Sequence, residues 1–299
     1  MKKLNLHIGA LIAANIIWGA AVPIFKYSLG NIPPFTLLFI RFFGAALIFI
    51  PLAWRSWRKL TLEEYGSVFL AGFFGFSLAI SFLFLGLERA PSINFPIIAS
   101  AGPVVLYCVA VYFLKETPHK KILAGSILSL LGVLVIVLTP VSGELQGNIF
   151  FMIAVISQAI SVLLSKRILN RVNVFQVTFL MFAFASFTYL PFMIREQANW
   201  SFAQLDGTGL FGIIYGLFFS SALAYGLYNW GINKIDAQEI GIFTYLDPVT
   251  TGIVAFLLLG ETASIHYFFG ALLVFAGIFV AENRLHWHPI HRLKVDSSQ

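Results

Sequence analysis

The chain has 299 residues and a formal net charge of +6, with 59% hydrophobic and only 11% charged residues. Ordinary globular domains have about 45–50% apolar and about 25% charged residues, so these few charges cannot cover a water-facing surface. The composition therefore excludes an ordinary soluble domain and predicts a lipid bilayer as a partner. The basic residues stand singly or in threes between apolar runs, which indicates membrane topology rather than nucleic-acid binding.

Ten apolar runs follow one another along the chain, and each can cross a hydrocarbon layer of about 30 Å as a helix of about 20 residues. Runs of this length without alternation favour helices over barrel strands, which need only about 10 residues. Turn residues separate the runs at 31–34, 90–92, 117–118, 140–143 and 206–207. We therefore predict an all-α integral membrane protein with ten transmembrane helices, at residues 7–29, 33–54, 64–87, 91–114, 120–139, 147–167, 174–194, 207–232, 237–259 and 264–283.

The second half of the sequence repeats the first. At an offset of 145 positions Glu116 aligns with Glu261 and Pro103 with Pro248, and at an offset of 140 Lys26 aligns with Lys166. A doubled hydrophobic chain is typical of secondary transporters, which hold the substrate site between their repeats. We expect a first repeat of five helices at 1–140, a second at 147–285 and a cytoplasmic tail at 286–299.

Lysine and arginine residues are distributed unequally across the predicted membrane. Fifteen of the 19 fall on one side, and only Lys26, Arg41, Arg89 and Arg195 belong to the other. The positive-inside rule then places both termini in the cytoplasm, in a multi-pass protein of the cell (inner) membrane. Because five helices is an odd number, the second repeat enters from the opposite side, so the two repeats are predicted to be inverted.

Four features in chain order carry a family pattern. They are Trp18-Gly19 followed by Lys26, the Arg41-Phe42 pair, the Leu-x-Glu helix ends at Glu116 and Glu261, and spaced glycines at 125, 132, 270 and 277. With these motifs the chain resembles the EamA family of the drug/metabolite transporter superfamily over roughly residues 7–283. The first Leu-x-Glu departs from the pattern by having Lys115 where glycine is usual. The resemblance implies transport of small metabolites, often amino-acid export, with a cavity between helices 1, 3, 4, 6, 8 and 9.

Asp247 is the sharpest single candidate, because it precedes Pro248 near the middle of the ninth predicted helix. A charged side chain at the bilayer centre costs at least about 2.5–3.5 kcal/mol, so Asp247 should face the bundle interior or a wet cavity. As a functional residue it would bind a substrate amine or carry a proton. As a structural residue it would form a fixed ion pair or cap carbonyls freed by the proline.

Four further residues are predicted to have structural or gating roles. Arg41 lies about 12 Å into the second helix at 1.5 Å per residue, and we expect it to pair with Glu88 or Asp247 rather than contact substrate. Lys26 lies where snorkelling to the interface explains it poorly, whereas Lys166 fits snorkelling. Two repeat-equivalent prolines kink their helices and could provide the bend of a rocking bundle: Pro103 and Pro248.

Polar and aromatic side chains in the predicted helices could line a central cavity. Aromatic rings beside amides could hold an amphipathic solute, although hydroxyls and amides also commonly join helices to one another. The second explanation is the stronger one for the serines. The predicted substrate-binding residues are Asn15, Trp18, Ser77, Ser81, Asn94, Gln158, Tyr228, Thr244, Tyr245 and Asp247.

The sequence thus predicts a secondary transporter that exports amino acids or similar small metabolites by alternating access, with possible proton coupling through Asp247. The alternatives are a carrier of another solute, such as a nucleotide, sugar or drug-like molecule, and a non-transporting membrane subunit. An intramembrane enzyme is disfavoured, because no Gly-x-Ser-x-Gly or His-Glu-x-x-His motif is present. We predict no catalytic residues, no metal site and no cofactor, and the oligomeric state stays open.

Overall fold

A computed structural model describes residues 2–55, 57–100, 102, 120–138, 144–169, 171–232, 243 and 246–281. Throughout these ranges the regular secondary structure is helical. Pro103, Thr244, Tyr245 and the Lys166 side chain lie outside what the structure describes. The α-helices are α1 Lys2–Ser28, α2 Pro34–Trp54, α3 Leu62–Gly72, α4 Ala79–Leu87, α5 Asn94–Ser100, α6 Lys120–Leu138, α7 Leu145–Leu169, α8 Val174–Glu196, α9 Gly207–Ile214, α10 Ala224–Ile232, α11 Leu246–Leu259 and α12 Ile265–Ala281.

Six stretches of helix are long and apolar enough to cross a membrane, and they agree with six of the ten predicted spans. Three shorter apolar helices, Leu123–Ile136, Leu246–Leu259 and Ile265–Gly277, fall within the fifth, ninth and tenth predicted spans. Of the predicted fourth span, only residues 91–100, which include α5, and Gly102 are among the described residues. The helical class of the fold is therefore confirmed, while the number ten stays a prediction. The long stretches are Leu6–Ser28, Pro34–Trp54, Leu62–Leu87, Leu145–Ser165, Val174–Glu196 and Gly207–Tyr228.

Two of these long stretches contain π-helical segments at equivalent places in the two repeats. Phe73–Leu78 joins α3 to α4, and Tyr215–Leu223 joins α9 to α10. Side chains from neighbouring helices bond to their carbonyls, since Tyr189 donates to the Ser77 oxygen at 2.9 Å and Trp18 Nε1 donates to the Ser220 oxygen at 3.0 Å. Such segments are rare in proteins, and where they occur they are often at functional sites. A hydropathy profile does not reveal them.

Helices from the two repeats interlock. The most extensive contacts join α6 to α12, α2 to α8 and α1 to α11, and each pair takes one helix from each repeat. In the α2–α8 pair, Thr36 meets Glu196 at one end and the Phe49 ring lies beside Phe175 at the other. Repeat-equivalent helices therefore run antiparallel there, which is the direction that inverted repeats require.

Aromatic residues form much of the core between the repeats. Phe42, Phe84 and Phe151 are completely buried, and the Phe42 ring packs 5.4 Å from that of Phe182. Large apolar side chains are also exposed on the outside of the bundle, including Leu257 at 76% and Phe187 at 72%. A soluble protein rarely exposes so much apolar surface, so this surface fits contact with lipid.

Candidate functional site

Three aromatic side chains, here called the aromatic cluster, meet where α1 faces the second repeat. The Trp18 ring centroid lies 5.2 Å from those of both Tyr225 and Tyr228. Trp18 is half-buried and anchored by its bond to the Ser220 carbonyl. It lies ten residues from the α1 end at Ser28, or about 15 Å at 1.5 Å per residue, which is about half of a bilayer core. The structure thus places two predicted site residues, Trp18 and Tyr228, together.

Asp247 packs against the stretch of α1 that contains Asn15 and Gly19. Gly19 packs so tightly on α11 that an added Cβ would lie 2.9 Å from the Asp247 carbonyl oxygen, and Thr251 Oγ1 donates to the Gly19 oxygen at 2.7 Å. Asn15 lies one turn before Gly19 and donates to Leu11 O at 2.8 Å. The Oδ1 atoms of both Asn15 and Asp247 are buried, and neither has a hydrogen-bond partner in the described part of the chain.

Two buried acceptors without donors are unusual, because buried polar groups are nearly always hydrogen-bonded. The described residues supply no cation for Asp247, so the fixed ion pair considered from the sequence is not formed there. The carboxyl group is placed where a proton, a substrate amine or another cation could reach it. Pro248 is buried beside it in the first turn of α11.

Arg41 does not have the partner expected from the sequence, and that prediction was wrong. The side chain is only 6% exposed, and its Nε and Nη2 donate at 3.0 Å to the hydroxyls of Ser221 and Ser220. Its guanidinium also lies over the Phe25 ring at 4.8 Å and the Phe42 ring at 4.9 Å.

Neither of the two expected carboxylates forms an ion pair with Arg41 among the described residues. Glu88 instead forms an ion pair with the adjacent Arg89 at 2.9 Å, and Asp247 forms none of the ion pairs found among the described residues. The physical reason is packing, because α2 lies against the π-helical segment at Tyr215–Leu223 and meets its two hydroxyls first. Sequence reasoning missed Ser220 and Ser221, although a serine pair at this depth is a detectable signal.

The two predicted serines make structural bonds in this geometry. Ser81 Oγ donates to the Ser77 carbonyl one turn earlier in the same stretch at 2.6 Å, and Thr188 Oγ1 donates to Ser77 Oγ at 2.6 Å. Only the Ser77 bond corresponds to the interhelical alternative. Gln158 is exposed on α7, and a Cβ added at Gly75 would lie 3.7 Å from its Oε1. Exposing an amide at membrane depth costs less free energy in a water-filled cavity than in lipid.

Asn94 belongs to a separate polar group near one end of the bundle. Its Nδ2 donates to Asn148 Oδ1 at 2.9 Å. It borders a cleft of about 70 Å³ that Glu144 and His266 also line. Burial raises the pKa of Glu144, the nearby Lys26 charge lowers it, and the Glu261 charge raises it. The cleft is too small for an amino acid and has room for a few waters.

An ion pair, here called the Lys26–Glu261 latch, closes the same end. Lys26 Nζ lies 2.9 Å from Glu261 Oε1 and donates to the Ala90 carbonyl at 2.6 Å. Glu261 also accepts from the Ser92 backbone nitrogen at 2.9 Å and its hydroxyl at 2.8 Å. The latch therefore ties α1 and the segment before α5 to the end of α11. Ser92 and Ala90 were not predicted, whereas the Leu-x-Glu motif pointed to Glu261.

Metal ions have no assembled site in the described ranges. No cluster of three or more His, Cys, Asp or Glu residues able to hold a metal occurs there. The polar groups near mid-depth are single side chains on facing helices: Trp18, Arg41 and Asp247. Such isolated groups suit binding and release of a solute better than covalent chemistry, which needs a nucleophile beside a base.

A multi-pass helical protein made of two interlocked halves, with polar and aromatic groups between them at mid-depth, has the architecture of a secondary transporter. The sequence matches the EamA-like transporter family over residues 5–138 and 145–282. The chain belongs to this family, which confirms the resemblance drawn from its motifs. The two matched ranges correspond to the two repeats.

Relatives extend over nearly the whole chain. The "Uncharacterized transporter YetK" of Bacillus subtilis is 26% identical over 93% of this chain and 87% of its own length. A "Probable amino-acid metabolite efflux pump" of Salmonella typhimurium is 25% identical over 89% of this chain and 91% of its own. A crystal structure at 19% identity superposes with a TM-score of 0.63, covering 94% of this chain and 99% of that chain, which shows a shared fold.

Proposed function

We propose that the protein is a secondary transporter that exports amino acids or similar small metabolites by alternating access. The observation that carries this proposal is the pair of buried acceptors without donors, on Asn15 and Asp247, beside the aromatic cluster. The aromatic rings would hold an apolar side chain, and the buried oxygens would accept bonds from an ammonium group. The relatives named as amino-acid metabolite efflux pumps support the same substrate class.

Asp247 is the proposed coupling residue. A bare carboxylate at mid-membrane is costly, so the site is stable only when a proton or a cationic group compensates the carboxylate. Binding of a substrate ammonium would then release the Asp247 proton, and loss of the substrate would return it. Because each occupant excludes the other, the movement of protons down their gradient would drive substrate the opposite way.

The membrane arrangement proposed here is ten helices in two inverted repeats, with both termini in the cytoplasm. The latch then lies at the outer end, since Lys26 is in the last turn of α1 and Glu261 follows α11, and both helices would run outward. The antiparallel pairing of repeat-equivalent helices supports this arrangement. Alternating access would break the latch and open a path from the aromatic cluster to the outside.

Counterflow into proteoliposomes tests the function. Vesicles loaded with a mixture of the unlabelled test solutes should take up at least one labelled amino acid, and empty vesicles should not. The panel should include aromatic, branched and hydroxylated amino acids, together with one nucleoside and one sugar. Uptake of only the nucleoside or the sugar would replace the substrate class, and no uptake of any solute would contradict the proposed transport.

A further inference from the structure

Arg41 carries a positive charge that no carboxylate among the described residues balances. Buried charges in proteins are normally paired, because moving an isolated charge out of water is expensive. The serine hydroxyls and the rings of Phe25 and Phe42 contact the guanidinium, but they are neutral groups and do not neutralise its charge. Ring faces attract a cation with about 0.5–2 kcal/mol each, and they leave the net charge in place.

The surroundings of Arg41 also hold more hydrogen-bond donors than acceptors. A guanidinium has five N–H groups, and the described acceptors are the two hydroxyls of Ser220 and Ser221. These hydroxyls accept from Arg41, and their own protons have no acceptor in the described part of the chain. Other buried serines behave differently, since Ser186 donates to the carbonyl four residues earlier, at Phe182. The π-helical register around Ser220 offers no such bond.

A site with a positive charge and surplus donors is suited to an anion. The planar fork of arginine matches a carboxylate, which accepts two parallel bonds. Ser220 joins this site to the aromatic cluster, because its carbonyl accepts the Trp18 Nε1 bond while its hydroxyl contacts Arg41. A carboxylate held at Arg41 would therefore have an apolar or aromatic body lying against Trp18 and Tyr225.

We propose that Arg41, Ser220 and Ser221 form the receptor for the carboxylate of the transported solute. This inference rests on the proposed transport function and assigns the end of the solute that Asp247 does not bind. It replaces the structural pairing expected for Arg41 from the sequence. The repeat-equivalent position is Met181, so the second repeat has no matching charge and the receptor is asymmetric.

Ligand binding by the purified protein tests the receptor. The probes are L-phenylalanine, L-leucine and L-threonine, their carboxamides, and chloride, with affinity measured from the shift in thermal unfolding. The wild type should bind at least one free acid about tenfold or more tighter than its amide, as expected for charge-assisted hydrogen bonds. Arg41→Met should abolish this preference, and Arg41→Lys should restore part of it.

Two further variants keep the test decisive. Arg89→Met removes an exposed arginine elsewhere and should leave the acid preference unchanged. If Arg41→Met does not fold, Ser220→Ala with Ser221→Ala removes two proposed donors without removing the charge and should reduce the preference. An unchanged preference in the folded Arg41 or serine variants, or binding of chloride alone, would overturn the receptor. Transport without a preference for the free acid over its amide would refute the carboxylate receptor but not the transport function. A preference for the free acid without transport would refute the transport function but not carboxylate binding at Arg41.

Discussion

Arg41 is buried and Asp247 has a buried carboxylate oxygen, and neither has an oppositely charged partner among the described residues. The Arg41 guanidinium lies over the ring of Phe25 in α1, and the Asp247 backbone lies against Gly19, the residue after Trp18 in the same helix. A structural charge in a membrane protein normally has a fixed partner, because leaving it unpaired costs several kcal/mol. Their isolation is consistent with groups whose partners arrive and leave during the transport cycle.

Asp247→Asn should separate coupling from binding. The amide has nearly the same shape and can still accept a hydrogen bond, but it carries no transferable proton. Each pH unit across the membrane provides about 1.36 kcal/mol per proton, or up to about tenfold accumulation. Wild-type vesicles with an acidic lumen should therefore concentrate the substrate, whereas Asp247→Asn vesicles should only equilibrate it while counterflow continues.

Two outcomes of this experiment would contradict this prediction. Accumulation by Asp247→Asn equal to that of the wild type would show that another group carries the proton. Loss of counterflow as well would show that an amide at this position cannot hold the substrate ammonium, so that binding and coupling cannot be separated there.

The location of these residues could be predicted from the sequence, but their contacts could not. A charge inside a 20-residue apolar run must avoid lipid, and this argument correctly places Arg41 and Asp247 inside the bundle. The partners of Arg41 depend on which helix face meets α2, and a π-helical segment sets that face at Ser220 and Ser221. Hydropathy reports burial and not helical register, so the expected Glu88 or Asp247 pairing was wrong.

At the scale of helices, α6 and α12 form the closest contact between the repeats. A Cβ added at Gly132 would lie 2.5 Å from the Gly270 carbonyl oxygen and 2.7 Å from the Val274 nitrogen. Both obstacles are backbone atoms, which cannot rotate away. Spaced glycines let helices approach closely in membranes, and the contact of Gly132 with Gly270 is of this kind.

Gly132→Ala should therefore destabilise the protein, by about 1–3 kcal/mol as for other overpacked sites. Gly252→Ala is the matched control, because Gly252 also lies within an apolar helix and a Cβ there would meet no atom within 4 Å. Replacing a helical glycine in open space should stabilise by about 0.5–1 kcal/mol. Unfolding of both variants in detergent should give shifts of opposite sign, and equal shifts would refute the packing argument.

Over the whole molecule, the latch is the contact through which one end of the bundle is held closed. Its residues come from both repeats, and Glu261 has four polar contacts with groups of the first. By comparison, the Arg89–Glu88 pair joins adjacent residues on the surface, and such exposed pairs contribute about 0–1 kcal/mol. Unlike that pair, the latch connects elements of the two repeats that would have to separate in the proposed opening of the bundle.

Glu261→Gln should accordingly shift the protein toward an outward-open form. The amide keeps some hydrogen bonds but loses the attraction to Lys26 and cannot accept all the bonds that the carboxylate does. A cysteine at Ile97, which is 1% exposed in α5 beyond the segment that Glu261 holds, should report the opening. With Cys108 replaced by serine, its labelling by a membrane-impermeant maleimide applied outside should rise about tenfold, as for a shift of about 1.4 kcal/mol.

Glu88→Gln provides the control for this labelling. It removes a carboxylate at the same end of the bundle, but Glu88 pairs with the adjacent Arg89 and does not connect the two repeats. The labelling rate of the Ile97 cysteine in Glu88→Gln should equal the rate in the protein that keeps both Glu88 and Glu261. An equal rise in the two variants would mean that lost charge, and not the latch, governs access. If the Ile97 cysteine reacted only with reagent applied to the cytoplasmic face, the proposed orientation of the chain would be reversed, since the latch must face the side from which opening exposes α5.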